Sequence, residues 1–453
     1  MTDVQFSINI KEYRAIDNAD IDIDGITVLS GVNGCGKSSI ALLAFEYLYS
    51  SRRIEDLLQN KVAQLIMEPL VLLEQFIDIL QKYNPEIKVR VAREKITKFY
   101  YNWRDNSTNI SKIKWDVPSI FSEAMTLYDN NEEIINNSPL LKKEIARITS
   151  LISDFLPEYI DIMKDRYLKS NDFKEVLGNI NYFFFTKIEE LETYETNFAS
   201  SIITDKLKTI YSNNDFAKYI KMNEYSVPLY SYPDNKETIK IQSFKEVFYI
   251  DSPLILEADK EVLSSKKHWN HIREALSKSS ENKSINEIDS LFQNNIKIQN
   301  IEHLISFEET FNYIRTDGKS FSLSESATGI KAFAIINLLF KRGLLTKNTL
   351  LILDEPEVHL HPKWVVEYAR LVVLLNKHLG VKFLIASHHP EFVSSIKYIA
   401  KKENTETKLN FYLAKESKNN KYNFISTGTE INETFESFNG AYDLIEKYGD
   451  NEV

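Results

Sequence analysis

The sequence predicts an α/β protein: a mixed, mostly parallel sheet with an antiparallel β subdomain, interrupted by a large α-helical insertion. Three observations predict it. The apolar run Ile26–Leu29 breaks at Gly31 and passes into the helical pattern IALLAFEYLY, which reads as strand, loop and helix. Two further short apolar runs, Thr349–Leu353 and Lys382–Ala386, end in Asp354-Glu355 and in Ser387-His388-His389-Pro390, as parallel strands buried on both faces do. From residue 51 to 239 the only glycine is Gly178, and Lys, Glu, Asn, Ile and Leu dominate. That composition suits helices.

Taken in order, residues 4–24 alternate. Phe6, Ile8 and Ile10 share one face, and Ile21 and Ile23 follow a polar turn, which predicts a small antiparallel sheet. Tyr13 and Arg14 sit at its turn, either within reach of a ligand at the next loop or as an exposed turn pair. That loop is Gly31-x-x-x-x-Gly36-Lys37-Ser38, which matches the phosphate-binding loop at every required position. Its glycines let backbone N–H groups turn inward around phosphates, where a Cβ would block the turn. A helix opening at Lys37 adds its free amides and positive dipole end. Lys37 is expected to reach the β- and γ-phosphates and the Ser38 hydroxyl to hold Mg²⁺. Cys35 lies inside the loop, at a position that tolerates many residues.

The insertion contains one clear helical stripe. Leu141, Ile145, Ile148, Ile152 and Phe155 step by four and three and stop near Pro157. Ile188, Leu191 and Phe198 hint at another. The stripes are too short for a coiled coil, which predicts packed helix pairs instead. A basic cluster, Lys88, Arg90, Arg93, Lys95, Lys98 and Arg104 with Tyr100, Tyr101 and Trp103 beside it, fits either nucleic-acid contact or a solvated helix face.

Beyond the insertion, KEVFYIDSPLIL (245–256) reads as a buried strand ending at Asp251-Ser252-Pro253. Ile301–Phe307, Phe311–Arg315 and Ser320–Leu323 read as further strands, with Asp317-Gly318 as a tight hairpin turn. Leu323-Ser324-Glu325-Ser326-Ala327-Thr328-Gly329-Ile330-Lys331 opens the helical run AFAIINLLF. Such a turn is an anion-binding geometry, or a plain helix cap made by Ser324 or Ser326. An apolar strand delivering Asp354-Glu355 to the carboxyl edge of the sheet sets them opposite the phosphate loop. There Asp354 would orient the Mg²⁺ shell and Glu355 would polarise an attacking water. His388 ends the next strand, placed for a phosphate or that water. Zinc held by His359, His361, His388 and His389 is disfavoured, because no cysteine joins them and adjacent histidines diverge from an extended chain.

Composition sets outer limits. The 453 residues suffice for about two or three domains. Apolar residues make up 43%, including 26 Phe and 24 Tyr, enough to fill a large core. The net charge of −10, from 55 basic and 65 acidic residues, argues against a chain coated for bulk nucleic-acid binding. A single cysteine makes no internal disulfide, and no leader pattern or membrane-length apolar run is present. These features predict a soluble cytoplasmic protein without a membrane partner.

GVNGCGKSS, LSESATGIKA, LLILDEPEVHLHP and IASHHPEF, in that order, resemble the nucleotide-binding heads of ABC-type ATPases. The likeness is strongest to the RecF/SMC/OLD branch. It covers residues 1–50 and 240–453 as the head and leaves 51–239 as the inserted arm or oligomerisation module. It implies ATP and Mg²⁺ as cofactors. Gly31, Asn33, Gly34, Cys35, Gly36, Lys37, Ser38 and Ser39 would hold the nucleotide, Ser38 and Asp354 the metal. Glu355 would be the catalytic base and His388 the switch histidine. Thr328 and Gly329 would belong to a signature loop reaching the γ-phosphate on a second subunit, so that two heads sandwich two ATPs. Here Ala327-Thr328-Gly329-Ile330 replaces the family's Ser-Gly-Gly-Gln or Ser-Ser-Gly-Glu, and the glutamine loop has no evident counterpart. Only 65 residues follow His388, without the acidic cluster of a Toprim nuclease. The chain therefore resembles stand-alone ATPase subunits of antiphage systems, the Septu ATPase first and the PARIS ATPase second, which control a separate nuclease or effector of HNH or Toprim type. The alternative is a RecF/SMC-like DNA-repair ATPase that binds DNA.

Overall fold

The computed structural model describes residues 5–105, 110–155, 172–178, 181, 195–210, 216–234, 243–278, 284–305, 309–358, 360–435 and 447–448. The chain divides into two compact units, one of residues 1–52 and 203–453, the other of residues 53–202.

The first unit is built on a ten-stranded sheet. Its strands are β1 (Phe6–Tyr13), β2 (Ile16–Ile23), β3 (Ile26–Ser30), β4 (Tyr219–Glu224), β5 (Val227–Tyr232), β6 (Glu246–Ile250), β10 (Thr349–Asp354), β11 (Lys382–Ser387), β12 (Leu409–Glu416) and β13 (Tyr422–Gly428). A separate three-stranded sheet, in the order β7-β8-β9, holds β7 (Ile298–Ile305), β8 (Glu309–Arg315) and β9 (Ser320–Ser322). The order of the large sheet is β5-β4-β1-β2-β13-β12-β3-β11-β10-β6. From β12 to β6 every pairing is parallel. The strands β5-β4-β1-β2 are antiparallel to one another. Ile8 faces Ile21 and Phe6 faces Ile23, the pairing their alternation predicts. These strands are not a sheet apart, however: β2 joins β13 in parallel, so the antiparallel strands extend the main sheet. β3, β10 and β11 are buried along their length except at the ends Asp354 and Lys382, as their unbroken apolar sequences require.

Strands β4 and β5 fall within 51–239, the stretch expected to be wholly helical. Ile220, Met222 and Glu224 are buried in alternation with half-buried Tyr219, Lys221 and Asn223, a period of two in a segment of helix-like composition. β4 pairs with β1, residue Ile8 facing Met222. The expected break at 240 thus differs from the boundary between the compact units at Ile202 and Ile203.

The second unit is helical. Its longest helix, Ile54–Tyr83, has 30 residues and spans about 45 Å. Helices Arg90–Asp105, Ile110–Asn130, Glu132–Asn137 and Pro139–Phe155 follow. Leu70, Leu73, Phe76, Ile77 and Leu80 pack with Val117, Phe121, Leu141, Ile145 and Ile148 in one core. The stripe read from Leu141, Ile145 and Ile148 therefore faces inward. Pro157, Ile188 and Leu191 lie outside the described residues, as do the side chains of Ile152, Phe155 and Phe198. No helix of the described residues is long and apolar enough to cross a membrane.

Candidate functional site

The parallel register brings three strand ends to one edge. Asp354 at the end of β10 stands beside Ala386 on β11, and Ser387 beside Ser30 on β3. The phosphate loop leaves that edge directly after Ser30 and enters the helix Lys37–Arg52. Gly31, Gly34 and Gly36 take φ values of 149°, 81° and 104°, a region that strains residues with a Cβ. Two of them also sit where a Cβ has no room. A methyl at Gly31 would meet the Ala414 Cβ at 2.7 Å, and one at Gly36 would meet Ile16 Cγ1 at 2.7 Å. The second contact places the β1–β2 turn against the loop. Arg14 lies in that turn in the left-handed region, φ 53°.

Lys37 is 4% exposed. Its Nζ donates to the carbonyls of Gly31 and Val32 at 2.9 and 3.0 Å and lies 3.8 Å from Cys35 Sγ. The ammonium is thus folded over the loop, where a phosphate oxygen would offer it a charged acceptor instead. Asn33, Gly34 and Ser38 are exposed and Ser39 is buried. Burial pushes the Cys35 thiol up, which keeps it protonated and unreactive.

Asp354 is held by two hydroxyls. Ser38 donates to its Oδ1 at 2.9 Å and Tyr249, on the neighbouring β6, to its Oδ2 at 2.8 Å. Burial pushes this carboxyl up, and the nearby Glu355 and Asp251 charges push it further, against the pull of the two hydroxyls. A carboxylate destabilised in this way beside a serine hydroxyl is an oxygen donor set that a divalent cation would relieve. Mg²⁺ asks for only one or two such protein ligands together with substrate phosphates, so the residues fit it. Among the described residues no three His, Cys, Asp or Glu group into a metal-holding cluster.

Glu355 follows in the left-handed region, φ 48°, its N–H donating to the Ala386 carbonyl at 2.8 Å. A non-glycine residue held there marks a conformation that surrounding structure imposes. The turn swings the 38% exposed carboxylate off the strand, 3.1 Å from His388 Nδ1. The other histidines disperse: His361 Nδ1 accepts from the Lys363 N–H at the start of helix Pro362–Leu379, and His389 lies beside Glu391. His359 lies outside the described residues.

Thr328 opens the helix Thr328–Lys341 with no side-chain cap at Ala327. Neither serine caps it: Ser326 donates to the Ser322 carbonyl and Ser324 pairs with the Ser322 hydroxyl. Lys331, 5% exposed, ties this turn inward through Glu257 and the Ser324 carbonyl. Among the described residues no hydrogen bond or ion pair joins Thr328 or Gly329 to the phosphate loop. Gly329 is also closely packed, since a Cβ there would lie 3.0 Å from the Trp364 ring and 3.3 Å from Leu360. Trp364 in turn packs edge-on against Phe333, 5.9 Å away. The change Gly329→Ala is therefore expected to lower stability by about 1–3 kcal/mol through overpacking. Thermal unfolding checks this, and an unchanged midpoint would show that the Trp364 ring yields freely.

The basic cluster divides. Arg90 pairs with Glu94 at 2.6 Å, Arg93 with Asp78 at 2.6 Å and Lys95 with Glu123 at 2.8 Å. Among the described residues three of its five cations are locally neutralised, as on a solvated helix face. The side chains of Trp103 and Arg104 lie outside the described residues. Two residues escaped sequence reading. Tyr249 lies one strand from Asp354, and only its place at the end of an apolar run signalled it. Glu357 stood inside a quoted motif without a role.

A family model described as AAA ATPase domain matches residues 6–393. No curated protein matches the chain in sequence. Among solved structures, the chain is similar to an Smc head domain with an extended coiled coil bound to the C-terminal domain of ScpA, from Pyrococcus furiosus. Identity is 12%, coverage is 98% of each chain, and the TM-score is 0.31. It is also similar to an SmcHead bound to the C-winged helix domain of ScpA, at 10% identity, covering 95% of this chain and 98% of that one, with a TM-score of 0.36. Likenesses this loose carry no function across.

Proposed function

The chain belongs to the AAA ATPase domain family, and from that premise we propose that it is an ATP-driven switch subunit that governs a separate effector. The observation that carries this reading is the 2.9 Å bond from Ser38 to Asp354, with Glu355 beside it at the same sheet edge. Lys37 and the loop amides hold the phosphates, while Ser38 and Asp354 hold Mg²⁺. When bound, that ion neutralises charge on the phosphate oxygens. Glu355 takes the proton of the attacking water, and His388 stands next to it to orient the exposed carboxylate. The head dimerises through Thr328 and Gly329, which supply contacts to the γ-phosphate held by a second copy. ATP then favours the closed pair because those contacts are absent with ADP, a switch by differential affinity for two states. The helical segment serves as the arm or oligomerisation module, and the controlled partner is an antiphage nuclease of HNH or Toprim type.

Purification of the tagged chain from its host, as wild type and as the Glu355→Gln variant, tests this. A stoichiometric nuclease retained more strongly by the variant is the expected result. A chain that emerges alone, with hydrolysis that rises on gapped or ended DNA, would overturn the effector reading in favour of DNA repair.

A further inference from the structure

Glu357 lies two residues beyond Glu355, and its side chain is 1% exposed. Its Oε1 accepts the Ser387 hydroxyl at 2.7 Å and the His388 backbone N–H at 3.3 Å. The Ser387 hydroxyl in turn accepts the His389 N–H at 3.2 Å. The same Oε1 is 3.8 Å from His388 Nδ1, the atom that stands 3.1 Å from Glu355 Oε1. One imidazole therefore lies between an exposed carboxyl and a buried one. Among the described residues the buried Glu357 Oε2 has no hydrogen-bond partner, and burial pushes this carboxyl up. The bonds from Ser387 and His388 pull against that shift, so Oε1 is the oxygen that works as an acceptor.

The turn that makes this possible starts at the left-handed Glu355. Val358 N–H closes back on the Glu355 carbonyl at 3.1 Å and Leu360 N–H on that of Glu357 at 3.0 Å. The same turn sends residue 355 outward and residue 357 inward beneath the end of β11. That strand end would otherwise leave the donating Ser387 O–H and the His388 N–H without this acceptor, at the cost that unsatisfied polar groups carry.

We propose that Glu357 is a positioning residue for hydrolysis: it clamps Ser387 and His388 at the end of β11 and so sets the His388 ring against Glu355. The proposal rests on the reading of Glu355 as the base, and it assigns Glu357 no contact with nucleotide or metal. A glutamine keeps an accepting oxygen for both donors, whereas an alanine keeps none.

The test uses the full chain with Glu357→Ala, Glu357→Gln and Ser387→Ala, measuring kcat, KM and the Kd for ATP. Glu357→Ala is expected to lower kcat by about tenfold or more, the usual effect of removing a group that orients a reacting side chain, with the Kd for ATP unchanged. Glu357→Gln is expected to restore most of the rate. Ser387→Ala is expected to lower kcat in the same direction and to add little to Glu357→Ala, because both remove one clamp. An unchanged kcat in Glu357→Ala overturns the proposal. So does a glutamine variant as slow as alanine, or a loss of ATP affinity equal to the loss of rate. Should Glu357→Ala fail to fold, Ser387→Ala decides, and an unchanged kcat there overturns the clamp. Glu355→Gln, run alongside, separates the two readings: if it hydrolyses normally, the base assignment fails, whereas a dead Glu355→Gln with a normal Glu357→Ala sinks the clamp alone.

Discussion

Glu355→Gln is expected to lower ATP turnover by about 10²–10⁴-fold, the contribution of a positioned general base, while ATP affinity stays within about twofold. The substitution keeps the shape and removes the charge. Its backbone sits at φ 48° with its N–H on the Ala386 carbonyl, and glutamine meets the same strain as glutamate there, so the turn should survive. The phosphate loop and the Ser38–Asp354 bond are untouched. Phosphate release gives the rate, calorimetry the affinity, and light scattering with ATP the size of the particle. The variant should accumulate as the closed pair, because it binds ATP and does not remove it. Hydrolysis at the wild-type rate would take the base role away from Glu355.

The second large effect is expected at Lys37. Its Nζ makes two bonds within the loop, to the Gly31 and Val32 carbonyls, and with nucleotide it exchanges neutral acceptors for charged ones. Hydrogen bonds to charged groups contribute about 1.5–3 kcal/mol each, so Lys37→Ala should weaken ATP binding by at least about 100-fold. The fold should hold, because the loop's shape is set by three positive-φ glycines and by the packing of Gly31 and Gly36 rather than by the ammonium. Calorimetry decides the matter, and an unchanged Kd would count against the assignment of the loop.

The parts of this molecule legible in its sequence are those where chemistry and burial constrain neighbouring residues at once. The phosphate loop declares itself because its glycines, lysine and serine must follow one another within eight residues. β3, β10 and β11 declare themselves because a strand buried on both faces carries no charged residue between its ends and is mostly apolar. β4 did not, since Ile220 and Met222 alternate with Tyr219, Lys221 and Asn223 in a segment otherwise rich in helix formers, and its partner β1 lies more than 200 residues earlier. Tyr249 and Glu357 reach the site through parallel register and a left-handed turn, and the local pattern marks where each lies without showing what it touches. Ser324 and Ser326 carry the residue types of helix caps, yet their hydroxyls turn to Ser322.

β3 lies between β11 and β12, and this order has a consequence during synthesis. The phosphate-loop strand, which ends at Ser30, leaves the ribosome well before either of its neighbours. One neighbour, β11, begins at Lys382 and the other, β12, at Leu409. At about 5–20 residues per second the interval is on the order of 20–75 s. Through that time an apolar strand and a glycine loop wait unpaired, while the helical unit of residues 53–202 emerges with its own core and can close first. Translation arrested before Lys382 would therefore yield a chain in which the helical unit is complete and β3 still lacks both of its neighbours.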